Sequence, residues 1–110
     1  MTGLVVFVFG TVQRVGYRRW AKRRASARNL DGWVRNYGDR VQMSILGADE
    51  DVSTFLLECL TGPPKAKVTR VSFRPSRKTP PPGFSIRQTA FSTVVPNTEG
   101  TVPGPVATAR

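Results

Sequence analysis

Apolar and polar positions divide the first third of the chain into a strand-like run and a helix-like run. Residues 4–9 are six consecutive apolar residues, three Val and two Phe among them, which is typical of a strand buried on both faces. Residues 17–29 follow with a thin apolar stripe at helical spacing, formed by Tyr17, Trp20, Ala21 and Ala25. The pattern predicts a strand and then a helix, which we expect to end near Asn29 because Asn tolerates the left-handed conformation.

Two further strand-like segments, residues 30–37 and residues 40–46, are separated by a Gly-Asp pair that is typical of a tight hairpin. Alternation with a period of two places Val34 and Asn36 on one face of the second strand and Trp33 on the other. The third strand has one apolar face made of Val, Met and Ile. These features predict an antiparallel hairpin.

A second helix-like segment begins near Asp49, where three consecutive acidic residues suit the positive end of a helix dipole. Its apolar positions recur at i, i+3, i+4, i+7 and i+8, namely Val52, Phe55, Leu56, Cys59 and Leu60. This spacing indicates that Cys59 is a packing residue and not a nucleophile. Gly-Pro-Pro at residues 62–64 ends the helix, and strand-like segments follow at residues 68–74 and 84–87.

The order of these elements predicts an α+β fold. We expect a ferredoxin-like βαββαβ sandwich, in which two helices cover one face of an antiparallel sheet and a short C-terminal edge strand is added. Residues 1–90 form this single domain. Residues 91–110 lack periodicity and carry only two charged side chains, so we expect a tail outside the fold that is extended or disordered.

Composition restricts the chemistry that the chain can perform. The sequence has no His and one Cys, which excludes Ser-His-Asp and Cys-His catalytic sites and leaves too few ligands for a metal site. We therefore expect no metal and no cofactor. The longest apolar run is too short to span a membrane, and a single Cys suits a reducing compartment. We expect a cytoplasmic protein that does not bind membranes and is a monomer.

The chain is strongly basic, with 17 Lys and Arg residues against 7 Asp and Glu residues and a formal net charge of +10. Such an excess attracts phosphate groups, nucleic acid or acidic surfaces. Six of the basic residues lie between Arg18 and Arg28, in the first predicted helix. We interpret most of them as a solvated helix face, with Arg18 as the exception.

The segment between the first strand and the first helix, residues 10–18, is the best candidate for a binding site. A glycine-containing turn that opens a helix leaves backbone N–H groups without partners, and the helix dipole adds positive charge there. Arg18 can bind a phosphate group through two parallel hydrogen bonds. Strand topology brings Asn36, at the end of the second strand, to the same end of the sheet. The predicted phosphate-binding amides are those of Gln13, Arg14, Val15, Gly16 and Tyr17.

Residues 10–18 closely resemble a signature of the acylphosphatase family, through the pattern Gly-x-Val-Gln-x-Val-x-Tyr-Arg. Gly-Trp-Val-Arg-Asn at residues 32–36 resembles the other signature of that family, and Gly-Pro-Pro after the second helix is also similar. The resemblance covers about residues 3–89. It implies hydrolysis of the carboxyl-phosphate anhydride bond of acyl phosphates to a carboxylate and inorganic phosphate. It also implies that Arg18 binds the phosphate and that Asn36 positions the attacking water.

Two positions depart from the family pattern. Arg14 stands where the family has Gly, and the hairpin after Asn36 is one residue shorter, with Arg40 in place of Gly. A non-catalytic phosphate- or nucleic-acid-binding module on the same fold is the alternative function. Ferredoxin-like sheets bind RNA through aromatic residues on the open sheet face. The sequence predicts no pair of exposed aromatic residues there, although Trp33 is one candidate, so nucleic acid is the less favoured partner.

Overall fold

Secondary structure covers most of the computed structural model, which describes residues 1–91 and 100–103. The strands are β1 (Thr2–Thr11), β2 (Asp31–Tyr37), β3 (Arg40–Gly47), β4 (Lys67–Pro75), β5 (Phe84–Ile86) and β6 (Gly100–Pro103), and the helices are α1 (Tyr17–Ala27) and α2 (Asp49–Cys59). The strands form one sheet in the order β5-β2-β3-β1-β4-β6. Neither helix in the described ranges is long and apolar enough to cross a membrane. The predicted ferredoxin-like α+β fold is confirmed.

The hydrophobic core lies between one face of the sheet and the two helices. Val6 of β1 and Val34 of β2 are completely buried there. Helix α1 approaches the sheet closely because its inner residues, Ala21 and Ala25, are small and also completely buried. Cys59 of α2 belongs to the same core, and burial raises the pKa of its thiol to about 12. The predicted packing role of Cys59 is confirmed.

A cluster of ion pairs connects the outer surfaces of the two helices. Glu58 of α2 accepts hydrogen bonds from Arg24 and, at 2.7 Å, from Arg28 Nε. The Glu58 side chain is 23% exposed. The hydrogen bond from Arg28, supported by Arg24, lowers the pKa of the Glu58 carboxyl against the opposing effect of partial burial. Two of the five basic residues in the predicted solvated face, Arg24 and Arg28, therefore have a structural role.

The sequence predicts the fifth strand as a short edge strand but does not predict its direction. β5 pairs with β2 in parallel orientation. β4 lies on the far side of β1, so the connection at residues 76–83 crosses one end of the sheet to reach the start of β2. There the Gly83 N–H donates to Asp31 Oδ1 at 2.8 Å, and the Gly83 carbonyl accepts from the Gly32 N–H at 2.8 Å. β5 begins beside the start of β2 and therefore runs in the same direction.

Part of the C-terminal tail also departs from the expectation that residues 91–110 lie outside the fold. Residues Gly100–Pro103 form β6, which pairs antiparallel to β4. β4 would otherwise be an edge strand with unpaired backbone groups, which are available to any extended segment nearby. A four-residue strand bounded by Gly and Pro has no period-two pattern, so the sequence does not reveal it. The tail residues 92–99 and 104–110 lie outside the described residues.

The sheet face opposite the helices carries aromatic and basic side chains, and we call it the open face. Its aromatic residues are Phe7, Phe9, Trp33 and Tyr37, and its arginines are Arg35, Arg40, Arg70 and Arg87. Phe7 is buried and the other three rings are half-buried. The sequence predicts no pair of exposed rings on this face, and it does not reveal the group of half-buried rings that the strands bring together there. Because β1 is apolar at successive positions, its sequence does not distinguish outward from inward residues.

Candidate active site

The loop between β1 and α1, residues 12–16, is held in place by apolar side chains on its inner side. Val12 is 1% exposed, and Val15 is partly buried against the core. Arg14 and Gly16 are exposed to solvent. The alternation of anchored and exposed residues fixes the path of the loop while its backbone stays at the surface.

Two residues of this loop have left-handed backbone conformations, Arg14 with φ 62° and Gly16 with φ 79°. Gly16 is the N-cap of α1. The conformation at position 14 explains the Gly of the family pattern, because Gly reaches a positive φ without steric cost. A residue with a Cβ atom keeps this conformation at a cost of about 1–2 kcal/mol. Arg14 therefore leaves strain in the loop.

A run of backbone N–H groups in this segment has no hydrogen-bond acceptor within residues 1–91. These groups belong to Gln13, Arg14, Val15, Gly16 and Tyr17. The first backbone hydrogen bond of α1 is donated by Trp20 to the Gly16 carbonyl, at 3.0 Å. Donors without partners at the positive end of a helix dipole are suited to bind an anion. Their contact with phosphate stays a prediction.

Tyr17 anchors the start of α1 in the core. Its side chain is 1% exposed, and its hydroxyl donates a hydrogen bond to the Cys59 carbonyl at 2.7 Å. Burial raises the pKa of this phenol well above its ordinary value, so Tyr17 stays a neutral donor. Gly62, with φ 66°, lies against the ring, and a Cβ atom there would be 2.6 Å from Tyr17 Cε2. The Gly-Pro-Pro segment thus leaves room for the ring that fixes the helix start.

The side chain of Gln13 joins the loop to the β2–β3 hairpin. Its Nε2 donates to the Gly38 carbonyl at 2.8 Å and to the Arg40 carbonyl at 3.1 Å. Tyr37 pairs with Arg40, so the hairpin turn has two residues, as predicted. The sequence predicts that Gln13 helps to shape the loop and that its backbone amide binds phosphate, but it does not indicate the acceptors of its side chain. Its acceptors are backbone carbonyls 25 and 27 positions away, and no residue pattern identifies such partners.

Asn36, the second-last residue of β2, is half-buried on the face that the helices cover. Its backbone is fixed from both sides, because it pairs with Val41 of β3 and its carbonyl accepts from the Ala90 N–H at 2.9 Å. The Ala90 carbonyl accepts from the Gly38 N–H, also at 2.9 Å. The sequence does not indicate Ala90, which lies three residues beyond the predicted end of the last strand. The hairpin is thus held by the loop and by the segment after β5.

Arg18, the second residue of α1, is half-buried. Within residues 1–91 its guanidinium forms no ion pair with a carboxylate. The dipole disfavours a cation in the first turn of a helix, and α1 has no acidic residue there to compensate. The position of Arg18 therefore favours the binding of an anion. The loop, the start of α1 and the hairpin that carries Asn36 lie at the same end of the sheet.

A sequence model of the acylphosphatase family matches residues 4–86, a range that includes the loop and Asn36. Among proteins named acylphosphatase, the one from Alcanivorax borkumensis is 46% identical over 72 residues, which cover 64% of this chain and 78% of the relative. The acylphosphatase of Rhodospirillum rubrum is 38% identical over 86 residues, which cover 77% of this chain and 94% of the relative.

Solved structures agree with this relationship. The crystal structure of acylphosphatase from Bacillus subtilis matches with a TM-score of 0.74 at 35% identity, covering 79% of this chain and 99% of that chain. An acylphosphatase structure from Coxiella burnetii matches with a TM-score of 0.75 at 28% identity, covering 78% of this chain and 92% of that chain. By sequence and by fold, this chain belongs to the acylphosphatase family.

Proposed function

We propose that this acylphosphatase hydrolyses acyl phosphates by direct attack of water on phosphorus, with Arg18 and Asn36 as the catalytic side chains. The observation that carries the proposal is the run of backbone N–H groups in the loop, which have no acceptor within residues 1–91 and directly precede Arg18. Donors that the fold holds in place stabilise charge on a phosphoryl group without having to reorganise during the reaction.

The substrate class suits a site that lacks an imidazole. In the mixed anhydride of a carboxylic acid and phosphoric acid, the leaving group is a carboxylate, which departs as a stable anion and requires no proton. Phosphoryl transfer to water then depends mainly on positioning and on stabilisation of charge at the phosphoryl oxygens. The chain contains no His, and the proposed reaction needs none.

In the proposed step, the water oxygen forms a bond to phosphorus while the bond between phosphorus and the acyl oxygen breaks. The electron pair of the broken bond leaves with the carboxylate. Arg18 and the loop amides bind the non-bridging oxygens, and the Asn36 amide oxygen accepts a hydrogen bond from the attacking water. The proton that the water loses passes to the phosphate product or to solvent. The products are a carboxylate and inorganic phosphate.

The rigid setting of Asn36 supports its assignment. Its backbone is bonded to strands or segments on both sides, and Gln13 holds the hairpin turn against the loop. A group that orients water requires such support, because a misplacement of 1 Å at a reacting centre costs about 100-fold in rate.

Hydrolysis of a simple aromatic acyl phosphate tests the role of Arg18. We expect Arg18→Ala to lower kcat/KM by about 1,000-fold, as loss of a charge-stabilising group does in phosphoryl transfer. Arg19→Ala is the matched control, since it removes the same charge from the next, exposed position; its kcat/KM should stay within about twofold of wild type. Similar rates for Arg18→Ala and wild type would refute the assignment.

Asn36→Ala separates positioning of water from binding of substrate. We expect kcat to fall by about 100-fold with a much smaller change in KM, since an interaction with the attacking water is made in the transition state. Inorganic phosphate should inhibit wild type and Asn36→Ala with similar constants. A wild-type protein that binds phosphate but hydrolyses no acyl phosphate would instead be the non-catalytic phosphate-binding module.

A further inference from the structure

The open face holds its cations against aromatic rings. On β1, the centre of the Phe9 ring lies 4.0 Å from the Arg70 guanidinium and 4.9 Å from that of Arg40. A guanidinium over a ring face is attracted by the ring quadrupole and loses side-chain freedom in return. The arginines around Phe9 are therefore positioned by the sheet surface.

A second group of contacts surrounds Trp33 near the β5 edge. The centre of the Trp33 ring lies 4.9 Å from the Arg35 guanidinium and 4.7 Å from that of Arg87. Arg35 also lies 5.4 Å from the centre of the Tyr37 ring, and Tyr37 pairs with Arg40 across the hairpin. The two groups thus join into one band from β4 to β5, which is about 19 Å wide at a strand spacing of roughly 4.8 Å.

Acidic groups compensate little of this charge. Within residues 1–91, Arg35, Arg70 and Arg87 form no ion pair with a carboxylate, whereas Arg40 contacts Asp39 at 3.0 Å. Uncompensated cations on one surface repel each other, and a polyanion relieves that repulsion. The open face is therefore complementary in charge to a polyanion.

The rings narrow the choice of polyanion. Aromatic rings and guanidinium planes are the groups on which unstacked bases stack, and a guanidinium also binds phosphate through parallel hydrogen bonds. An acidic peptide would satisfy the charges without using the rings. A duplex keeps its bases stacked inside the helix and out of reach of a flat sheet. A nucleic acid single strand offers both phosphates and free base faces.

We propose that the open face binds single-stranded nucleic acid, with about two or three bases stacked along the band of rings and arginines. The binding surface is separate from the proposed hydrolytic site, because it lies on the sheet face opposite α1 and α2.

Fluorescence anisotropy with a labelled 12-residue oligouridine tests the proposal on the full chain. One variant removes three open-face charges through Arg35→Gln, Arg70→Gln and Arg87→Gln. A matched variant removes three charges from exposed positions of α1 through Arg19→Gln, Lys22→Gln and Arg23→Gln. Thermal unfolding of each variant shows whether its fold is retained. The probes for comparison are an RNA duplex of equal length, inorganic polyphosphate and polyglutamate.

We expect the open-face variant to bind oligouridine at least about tenfold more weakly than the matched α1 variant, because its arginines contact both phosphates and bases. Trp33→Leu keeps every charge, so it should weaken binding of oligouridine about tenfold and leave polyphosphate binding unchanged. This second variant tests the proposal even where the triple change unfolds the protein.

Equal losses for the two triple variants would overturn the proposal, as would tighter binding of the duplex or of polyglutamate than of oligouridine. Equal affinity for polyphosphate and oligouridine would show that the surface recognises charge alone, and this result would also overturn the proposal. Arg18→Ala should bind oligouridine within about twofold of wild type, so failure of the hydrolytic assignment and failure of this proposal give different results.

Discussion

The two ends of α1 use arginine in opposite ways. At the C-terminal end, Arg24 and Arg28 pair with Glu58 and lie where the helix dipole favours cations. At the N-terminal end, Arg18 forms no ion pair within residues 1–91 and lies where the dipole disfavours a cation. The arginines at one end of the helix therefore stabilise the fold, and in our proposal Arg18 at the other end binds an anion.

This difference shows how a structural charge can be distinguished from a functional one. A cation that stabilises the ligand-free protein has a structural role, and no bound ligand is needed to account for it. A cation in an unfavourable position costs the ligand-free protein stability, and binding of an anion offsets that cost; strain is commonly kept at functional sites in the same way. Arg14, with its positive φ, adds backbone strain at the same end of α1. The predictions below test the two ends separately.

The largest effect on stability should come from Gly62→Ala, which disturbs the packing of Tyr17 at the N-terminal end. The new Cβ atom would lie 2.6 Å from the ring, and the alanine backbone would have to adopt the φ of 66° that Gly62 has. We expect the free energy of unfolding to fall by about 3 kcal/mol, from backbone strain and overpacking together. Chemical denaturation measures this loss.

Gly83→Ala is the matched control for Gly62→Ala. Gly83 also has a positive φ, 85°, but no atom lies within 4 Å of a Cβ atom placed there. Its cost should be backbone strain alone, about 1 kcal/mol. Equal losses for the two variants would show that contact with Tyr17 contributes nothing.

At the C-terminal end, Glu58→Gln should lower the free energy of unfolding by about 1 kcal/mol at pH 7. The pKa of Glu58 is lowered in the folded protein from its ordinary value of 4.5, so its carboxylate stabilises the fold above that pH. This contribution disappears as the pH falls through the lower, folded-state pKa. Denaturation curves of variant and wild type should therefore converge as the pH falls below 4.5.

Glu50→Gln is the control for this pH dependence, since Glu50 is exposed and forms no ion pair within residues 1–91. Because Glu50 lies in the first turn of α2, its stability difference from wild type should be limited to the loss of a favourable dipole interaction, about 0.5 kcal/mol at pH 7. If the gap between Glu58→Gln and wild type stayed constant from pH 7 to pH 3, the ion pairs with Arg24 and Arg28 would not be its cause.

Arg14→Gly should stabilise the protein by about 1 kcal/mol, because Gly adopts the positive φ of this position without strain. The same replacement at Arg23, an exposed position inside α1, should destabilise by about 1 kcal/mol. Thermal unfolding of the two variants shows whether their changes in stability have opposite signs. A loss of stability in Arg14→Gly would mean that the arginine side chain contributes more than its backbone conformation costs.

The smallest effect belongs to Arg18→Ala in buffer without phosphate. Removal of a cation from the first turn of α1 should raise the free energy of unfolding by about 0.5 kcal/mol. Added inorganic phosphate should raise the melting temperature of wild type and not that of Arg18→Ala. If Arg18→Ala destabilised the phosphate-free protein, Arg18 would be a structural residue like Arg28.

The features that the sequence predicts correctly are local. The apolar run of β1, the Gly-Asp turn and the helical spacing of Cys59 each depend on neighbours in the chain, so the element order and the candidate loop can be read directly. The features it does not reveal join distant segments. Gln13 finds its acceptors in the hairpin, and Ala90 binds the backbone of Asn36.

Two features of the strands depend on distant segments in the same way. The parallel direction of β5 follows from where the connection at residues 76–83 ends, and the pairing of β6 follows from the exposed edge of β4. Neither is visible in the residues of the strand itself. The sequence does not reveal the grouping of side chains on the open face, because its rings and arginines come from different strands and meet only in the folded sheet.

Titration of the ¹⁵N-labelled protein with inorganic phosphate, followed by amide NMR shifts, tests the central claim most directly. The account predicts saturable shifts concentrated in the amides of residues 13–17, and their absence in Arg18→Ala. It predicts that the same shifts persist in the variant that lacks the three open-face arginines. Shifts confined to the open face, or no shifts in residues 13–17 at saturating phosphate, would contradict the account.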